Sequence, residues 1–528
     1  MADEKKNKTV LVTGAAGGLG IHIVQDLAAR GWTVHALDRV DLATSRRQSL
    51  LNEELHVHWW CGAVDGAMIA EAMEGCQAVV HAAGVTSLSA NDDELYRANH
   101  DLSRQVFRLA AQRDIEHFVH ISCASVYGAD TAVRTETSPT ETYNLFEDSK
   151  LDAEITLQEM ADAPGAPPLT ILRLGLLYGP GCTTMGAAMV TMPAILRGIS
   201  SLLPGLSGGP RTNWCHVEDA AGAVSIVLDN PEARGRTFNV ADETALSFGE
   251  VLTSIIEGYD INLGPSVRVP SLALWTLLSP VFDNDWAFER TRDVLRLMWR
   301  RIQREHQLDS PLTPRLDRDA IFYVSDDAIV VADAIKELGW TPKWTDFRAG
   351  IADTIRWYQE QRWVPRFDLE ALAERRDQAP SARITYDEQL RGPLTGSDDG
   401  ADDGPTVELD LHVTWSSLPM PPLRQEATID GTITLSDRAQ AAPLQGTIGL
   451  RWMPRMIMEY EFGFRDQEDR ACRFSGSRSF SPAEPLGSLL KLEGTFVDEK
   501  GRFIGRTVAK RTDGVLSLLT TDKLAEPS

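Results

Sequence analysis

Short apolar runs of β type alternate with helical patterns over the first third of the chain. Val10-Leu11-Val12 is the first run, and a helical stretch over 18–30 follows it. Further strands are expected at 34–37, 56–60, 78–81, 118–121 and 169–174, with a helix over about 102–113 before the fifth strand. Continuous apolar strands set between helices imply a parallel sheet covered on both faces. Right-handed crossovers then make the sheet doubly wound. The pattern loosens after 235, where Ser247-Phe-Gly-Glu250 reads as a capping box and a further helix is expected over about 347–361.

The texture changes twice more. Residues 366–404 end in Ser397-Asp-Asp-Gly-Ala-Asp-Asp-Gly404, an acidic low-complexity run expected to be a flexible linker. Beyond 405 the period falls to two, as in Val407-Glu-Leu-Asp-Leu-His-Val413 and Ala427-Thr-Ile-Asp-Gly-Thr-Ile-Thr-Leu435. Alternation with turn residues between runs predicts an antiparallel β domain over 405–522, a barrel or a sandwich.

Composition narrows the function. A formal net charge of −24 over 528 residues argues against nucleic acid and anionic membranes as partners. The polar start lacks the apolar core of a signal peptide. No apolar stretch reaches the ~20 residues of a membrane span, because Arg197 breaks one, and Pro270 and Pro280 flank another. Six scattered cysteines with no Cys-x-x-Cys pair signal neither zinc nor a disulfide framework, and a reducing cytoplasm is the expected location. His56 and His58 alternate on a strand without a third ligand, so no metal site is expected.

The first strand runs into Thr13-Gly14-Ala15-Ala16-Gly17-Gly18-Leu19-Gly20, and a helix opens at once. Glycines permit a tight turn and close backbone approach to a pyrophosphate, and the helix N-terminus offers free N–H groups. Asp38 closes the second strand about twenty residues on, placed for the adenosine ribose hydroxyls. This is a Rossmann-type dinucleotide site. Asp38 favours NAD, since a carboxylate repels a 2′-phosphate. Arg39, with Arg46 and Arg47 nearby, leaves NADP open.

Several further motifs follow in order. Gly62-Ala-Val64-Asp65, His81-Ala82-Ala83-Gly84, Asn99, Ser125-Val-Tyr-Gly128, Arg173-Leu-Gly-Leu-Leu-Tyr-Gly-Pro-Gly181, Trp214-Cys-His-Val-Glu-Asp219 and Leu338-Gly-Trp-Thr-Pro342 are in this series. Together with the glycine turn, residues 8–365 resemble the extended short-chain dehydrogenase/reductase family of NAD-dependent epimerases and dehydratases. The resemblance extends to its 3β-hydroxysteroid dehydrogenase branch, with a substrate lobe over about 175–330. It implies a cofactor set of Gly14, Gly17, Gly18, Leu19, Gly20, Asp38, Arg39, Val64, Asp65, Ala82, Ala83, Gly84, Asn99, Ser122 and Lys150. It also implies a homodimer paired through the helix from Leu102 and the helix bearing Lys150.

The family's chemistry uses a Tyr-x-x-x-Lys pair, whose spacing puts both side chains on one helix face. Here that pair reads Phe146-Glu-Asp-Ser-Lys150. The lysine is present, but phenylalanine has no proton to exchange. The family's Ser/Thr position holds Cys123, and alternation along the strand points its neighbour Ser122 the other way. Loss of a general acid/base costs ~10²–10⁴ in rate. Three readings stay open. In one, a substitute group, Tyr143 or Cys123, supports redox or epimerase-like chemistry. In another, Lys150 and bound NAD serve a non-redox isomerase or lyase. In the third, the protein is a catalytically silent NAD-binding scaffold or sensor.

On the substrate side, Arg211 is a candidate phosphate clamp, against the apolar Met185, Met189, Met192, Leu202, Leu203, Leu206 and Trp275. The latter, with Val267-Arg-Val-Pro-Ser-Leu-Ala-Leu-Trp275 and Leu312-Thr-Pro-Arg315, resemble the steroid branch and imply a lipid-like hydroxyl or keto substrate. The alternative is ordinary core packing. Met453-Pro-Arg-Met-Ile-Met-Glu-Tyr-Glu-Phe462 and Phe474-Ser-Gly-Ser-Arg478 are similar to β domains attached to bacterial cholesterol-oxidase-like flavoenzymes.

Overall fold

Seven parallel strands form the central sheet of the N-terminal unit: β1 Thr9–Thr13, β2 Thr33–Asp38, β3 Val57–Cys61, β4 Ala78–His81, β5 His117–Cys123, β6 Leu169–Leu174 and β7 Thr237–Val240. Their spatial order is β7-β6-β5-β4-β1-β2-β3, so the direction of winding reverses between β1 and β4. In such sheets the ligand crevice lies outside the carboxyl ends of the strands at that reversal. This is a computed structural model, and it describes residues 8–88, 90–128, 133–184, 186–197, 203–261, 263–268, 285–314, 326–367, 384–396, 405–415, 425–435, 438–451, 457–479 and 490–512.

Alternation along each strand assigns its two faces. Val10, Val12, Val34, Val80 and Val119 pack with helices α1 Gly20–Ala29 and, further along the chain, Val217–Asp229. Leu11, Leu37, Val79 and Phe118 face α2 Gly66–Ala72, α3 Leu102–Ala111 and α4 Leu145–Ala161. Strands β1 to β6 lie close to the predicted runs. A π-helical turn, Tyr96–Asp101, leads into α3 and carries Asn99.

A second core gathers Tyr178, Val190, Ile195, Trp214, Val251, Ile255, Trp299, Phe347 and Tyr358. It is built from helices Gly186–Arg197, Phe248–Gly258, Asp285–Glu305 and Phe347–Glu360. Ser247 and Glu250 form the expected capping box. Met189 and Met192 pack partly buried against this core and Leu203 lies within it, so these residues serve lobe packing. Met185, Leu202, Trp275 and Arg315 lie outside the described residues.

The chain divides into two compact units, Met1–Phe367 and Asp368–Ser528. In the second, eight strands close into an antiparallel barrel: β8 Ile384–Thr395, β9 Thr406–Trp415, β10 Gln425–Leu435, β11 Ala439–Arg451, β12 Ile457–Arg465, β13 Ala471–Ser479, β14 Lys491–Asp498 and β15 Phe503–Arg511. Closure is made by β8 pairing with β15, for example Leu390 with Arg511. This decides between barrel and sandwich. It also corrects the reading of 366–404 as linker, because β8 lies inside that stretch. The acidic run 397–404 and residues 368–383 lie outside the described residues. Among the described residues no helix is long and apolar enough to cross a membrane.

Candidate functional site

The glycine turn joins β1 to α1 at the sheet's reversal. Gly14 has φ +70°, and a Cβ there would sit 2.7 Å from the backbone of Ala83. A Cβ on Gly20 would meet the Gly14 carbonyl at 2.0 Å, and one on Gly18 would meet the Gly181 carbonyl at 3.0 Å. Gly17 N–H donates to Gly14 O at 3.0 Å, and Ile21 N–H to Gly17 O at 3.1 Å. Among the described residues no backbone acceptor takes the N–H groups of Gly18, Leu19 and Gly20. Three such donors at a helix N-terminus fit a pyrophosphate.

Asp38 ends β2 beside this turn. Its carboxylate accepts from Ala16 N–H and from Val40 N–H, both at 2.9 Å, which fixes it at the rim where a ribose would lie. Of the three nearby arginines, Arg46 pairs with Asp309 at 2.9 Å and Arg47 is bound to carbonyls. Arg39 alone is exposed and outside any ion pair among the described residues. Asp65 caps α2 by accepting from Met68 N–H at 2.9 Å, with Val64 packed beneath.

Behind β1 and β4 runs a buried polar chain. Thr13 Oγ1 and His81 Nδ1 lie 2.8 Å apart, and His81 Nε2 and Ser103 Oγ 2.9 Å apart. Burial holds His81 neutral, down to about 3, aided by the nearby Lys150 charge. Asn99 brackets the loop after Ala82-Ala83-Gly84, accepting from Val85 N–H at 2.8 Å and donating to Val85 O at 3.0 Å. Asn99 also donates to Ser149 Oγ on α4 at 2.9 Å. It is buried and ties the loop after Gly84 to α4. Ser122 is buried, and its Oγ has no hydrogen-bond partner among the described residues.

The residues expected to carry the chemistry lie at the end of β5 and in the first turns of α4. Asn144 caps α4 by accepting from Glu147 N–H. Lys150 is buried and donates from Nζ to Ile121 O at 2.6 Å. Burial lowers its pKa, opposed by Cys123 and Glu154. Ser125 Oγ donates to Cys123 Sγ at 3.1 Å. Burial pushes the Cys123 thiol up to about 11, with Lys150 pulling the other way. Phe146, one turn before Lys150, is 6% exposed and belongs to the interior. Tyr143 is 37% exposed, and its ring lies over Gly128, where a Cβ would be 3.0 Å from Cε2. The structure thus brings Cys123, Ser125 and Lys150 to one edge.

Arg211 does not stand ready as a clamp: it grips Asp327 Oδ2 with Nε at 3.0 Å and Nη2 at 2.7 Å. His56 and His58 are exposed, and no group of three potential metal ligands occurs among the described residues. Sequence reasoning passed over Ser103, Ser149 and the engagement of Arg47. Ser149 sits inside the Phe146–Lys150 motif, whereas Ser103 carried no signal because the His81 ring meets it only through the fold.

Residues 10–241 match the model of the NAD dependent epimerase/dehydratase family. The chain is 27% identical over 382 residues to a dTDP-glucose 4,6-dehydratase of Mycolicibacterium smegmatis, covering 70% of this chain and 99% of that one. It is 26% identical over 259 residues to a 4-hydroxy-2-methyl-3-oxo-4-farnesyl-3,4-dihydroquinoline-1-oxide ketoreductase of Stigmatella aurantiaca, covering 48% of this chain and 73% of the relative. The fold is similar to that of UDP-glucose 4-epimerase from Thermotoga maritima, with TM-score 0.50 and 19% identity over 67% of this chain and 99% of that one.

Proposed function

We propose that the protein is an NAD-dependent oxidoreductase of the epimerase/dehydratase type, acting on a bulky hydroxyl or keto compound, with Cys123 replacing the usual tyrosine as acid/base group. The observation that carries this reading is the seat of Lys150. Its ammonium lies buried on Ile121 O, at the end of the strand that presents Cys123 and its hydroxyl donor Ser125. A buried cation is costly, and a protein that only held its fold would gain nothing from keeping it there.

Bound NADH supplies a hydride to a carbonyl carbon. The chain's part is the proton. At neutral pH the Cys123 thiol is protonated, so it donates to the carbonyl oxygen as that oxygen gains charge. The thiolate left behind faces the Lys150 ammonium and recovers its proton from solvent. Hydroxyl oxidation is the reverse, with the thiolate as base. Asp38, the Arg46–Asp309 pair and the tie of Arg47 to backbone carbonyls support NAD over NADP.

The engagement of Arg211 by Asp327 disfavours a nucleotide-phosphate clamp and supports an uncharged apolar substrate, as the farnesylated substrate of the ketoreductase relative illustrates. The second reading, a silent NAD-binding protein, is favoured by Phe146 filling the phenol position in the interior. The test is turnover at the nicotinamide absorbance band with apolar ketones and with nucleotide sugars. Cys123→Ala is expected to reduce kcat by ~10²–10⁴-fold with little change in NAD affinity. Undiminished turnover in Cys123→Ala would remove the thiol from the chemistry. NAD binding without turnover of any compound would favour the silent reading.

A further inference from the structure

Arg47 is a half-buried cation that the chemistry above leaves unused. Its Nε donates to Gly181 O at 2.7 Å. Nη1 donates to Ala16 O at 3.3 Å and to Ser45 O at 3.1 Å, and Nη2 donates to Thr183 Oγ1 at 3.4 Å. The guanidinium carbon lies 6.0 Å from the centre of the Trp363 ring. Every one of these partners is neutral. Among the described residues no carboxylate forms an ion pair with Arg47. A guanidinium has five N–H donors, and the four bonds leave one on Nη2. A cation withdrawn from water without a counter-ion is unfavourable, and the planar fork of arginine matches a phosphate. Burial lowers its pKa, which Cys182, Tyr358 and Asp38 only partly offset.

Its position says which anion would complete it. Ala16 lies within the glycine turn. Gly181 and Cys182 close over Gly18, where a Cβ would be 3.0 Å from the Gly181 carbonyl and 3.1 Å from Cys182 Cα. Gly18 carries one of the three N–H groups at the start of α1 that lack a backbone acceptor. Arg47 therefore borders the pyrophosphate side of the turn. Arg39, next to Asp38, occupies the ribose rim instead.

We propose that Arg47 supplies the counter-charge for the pyrophosphate of the bound dinucleotide, a positioning role that rests on the NAD-binding reading above. Because the same side chain holds Gly181 and Thr183, occupancy of the turn and the order of the loop entering the substrate lobe are tied to one residue.

The test is calorimetric titration of the full-length protein with NAD, ADP-ribose, NADP and adenosine, in wild type, Arg47→Gln and Arg47→Lys. Arg47→Gln is expected to weaken NAD and ADP-ribose by about 10–100-fold, the effect of losing a charge-assisted bond. Adenosine, which has no phosphate, should bind both proteins equally. Added salt should erode NAD affinity more in wild type than in Arg47→Gln. Equal losses for adenosine and NAD would make Arg47 a structural tie and overturn the proposal. A loss confined to NADP would place the contact at the 2′-phosphate and overturn it too. If Arg47→Gln does not fold, Arg47→Met carries the same comparison, since it also removes the charge and keeps an unbranched stem; Arg47→Lys keeps the charge and is expected to retain most of the NAD affinity and its salt dependence. A wild-type protein that binds none of the four ligands refutes the cofactor reading itself. A wild type that binds NAD and a charge-removing variant that binds it equally well refute only the role of Arg47.

Discussion

Phe146 and Gly14 show how a single side chain decides between binding and chemistry. Gly14 is held at positive φ with the Ala83 backbone where a Cβ would stand. Gly14→Ala must therefore push β1 and β4 apart. It is expected to lower the melting temperature of the N-terminal unit and to abolish NAD binding, measured by thermal denaturation with and without NAD. Phe146→Tyr adds one hydroxyl to a buried position one turn from Lys150. If Cys123 is the working acid, this variant gains at most a second donor, and turnover rises while the Cys123→Ala loss is partly rescued. An unchanged rate in the Cys123→Ala, Phe146→Tyr double variant would show that position 146 does not reach the substrate. Both residues were legible in the sequence because motif spacing fixes them. Arg47 was legible only as a nearby arginine, since its partners at Ala16, Gly181 and Thr183 meet through the fold and not through spacing.

At the scale of elements, β7, at Thr237–Val240, was not anticipated and β8 was misread as linker. Its inward positions include Tyr386, Glu388 and Leu390, and a buried carboxylate interrupts the apolar alternation that marks a strand. Closure of the barrel was equally hidden, because it depends on β8 finding β15 across the whole unit. The carboxylate is explained from the partner strands. Glu388 accepts from Arg478 Nη2 at 2.5 Å and from Tyr460 Oη at 3.3 Å, and Arg511 Nη1 lies 3.8 Å away. Removing one partner of a buried ion pair costs about 3–5 kcal/mol. Glu388→Ala should therefore destabilise the C-terminal unit by about that much in urea denaturation and leave NAD affinity unchanged. A loss under about 1 kcal/mol would mean that solvent reaches the cluster, as at exposed pairs. In the sheet of the first unit, by contrast, runs of Val, Leu and Ile announced nearly every strand, because strands buried on both faces need no alternation.

At the scale of the whole molecule, two units with separate cores predict two unfolding transitions in calorimetry. The first unit should also have a bell-shaped dependence of stability on pH. Burial lowers His81 and His216 to about 3 and His117 to about 4. Their unfolded forms titrate near 6.5, so stability is lost as pH falls below that value. Burial raises Asp242 to about 8 and Asp219 to about 6. Both are ionised in the unfolded chain above ~4, so their contribution declines as pH rises from there through 6 and 8. Thermal denaturation should find a maximum near pH ~6. Asp242→Asn should flatten the alkaline limb, and an unaltered limb would show that Asp242 is ionised in the fold. The closed barrel has a consequence for amide hydrogen exchange. In the seven-stranded sheet β3 and β7 are edges, and their amides can exchange by local fraying. Each barrel strand has a neighbour on both sides, so no strand can peel away first. All eight should share one protection level, set by global unfolding of that unit.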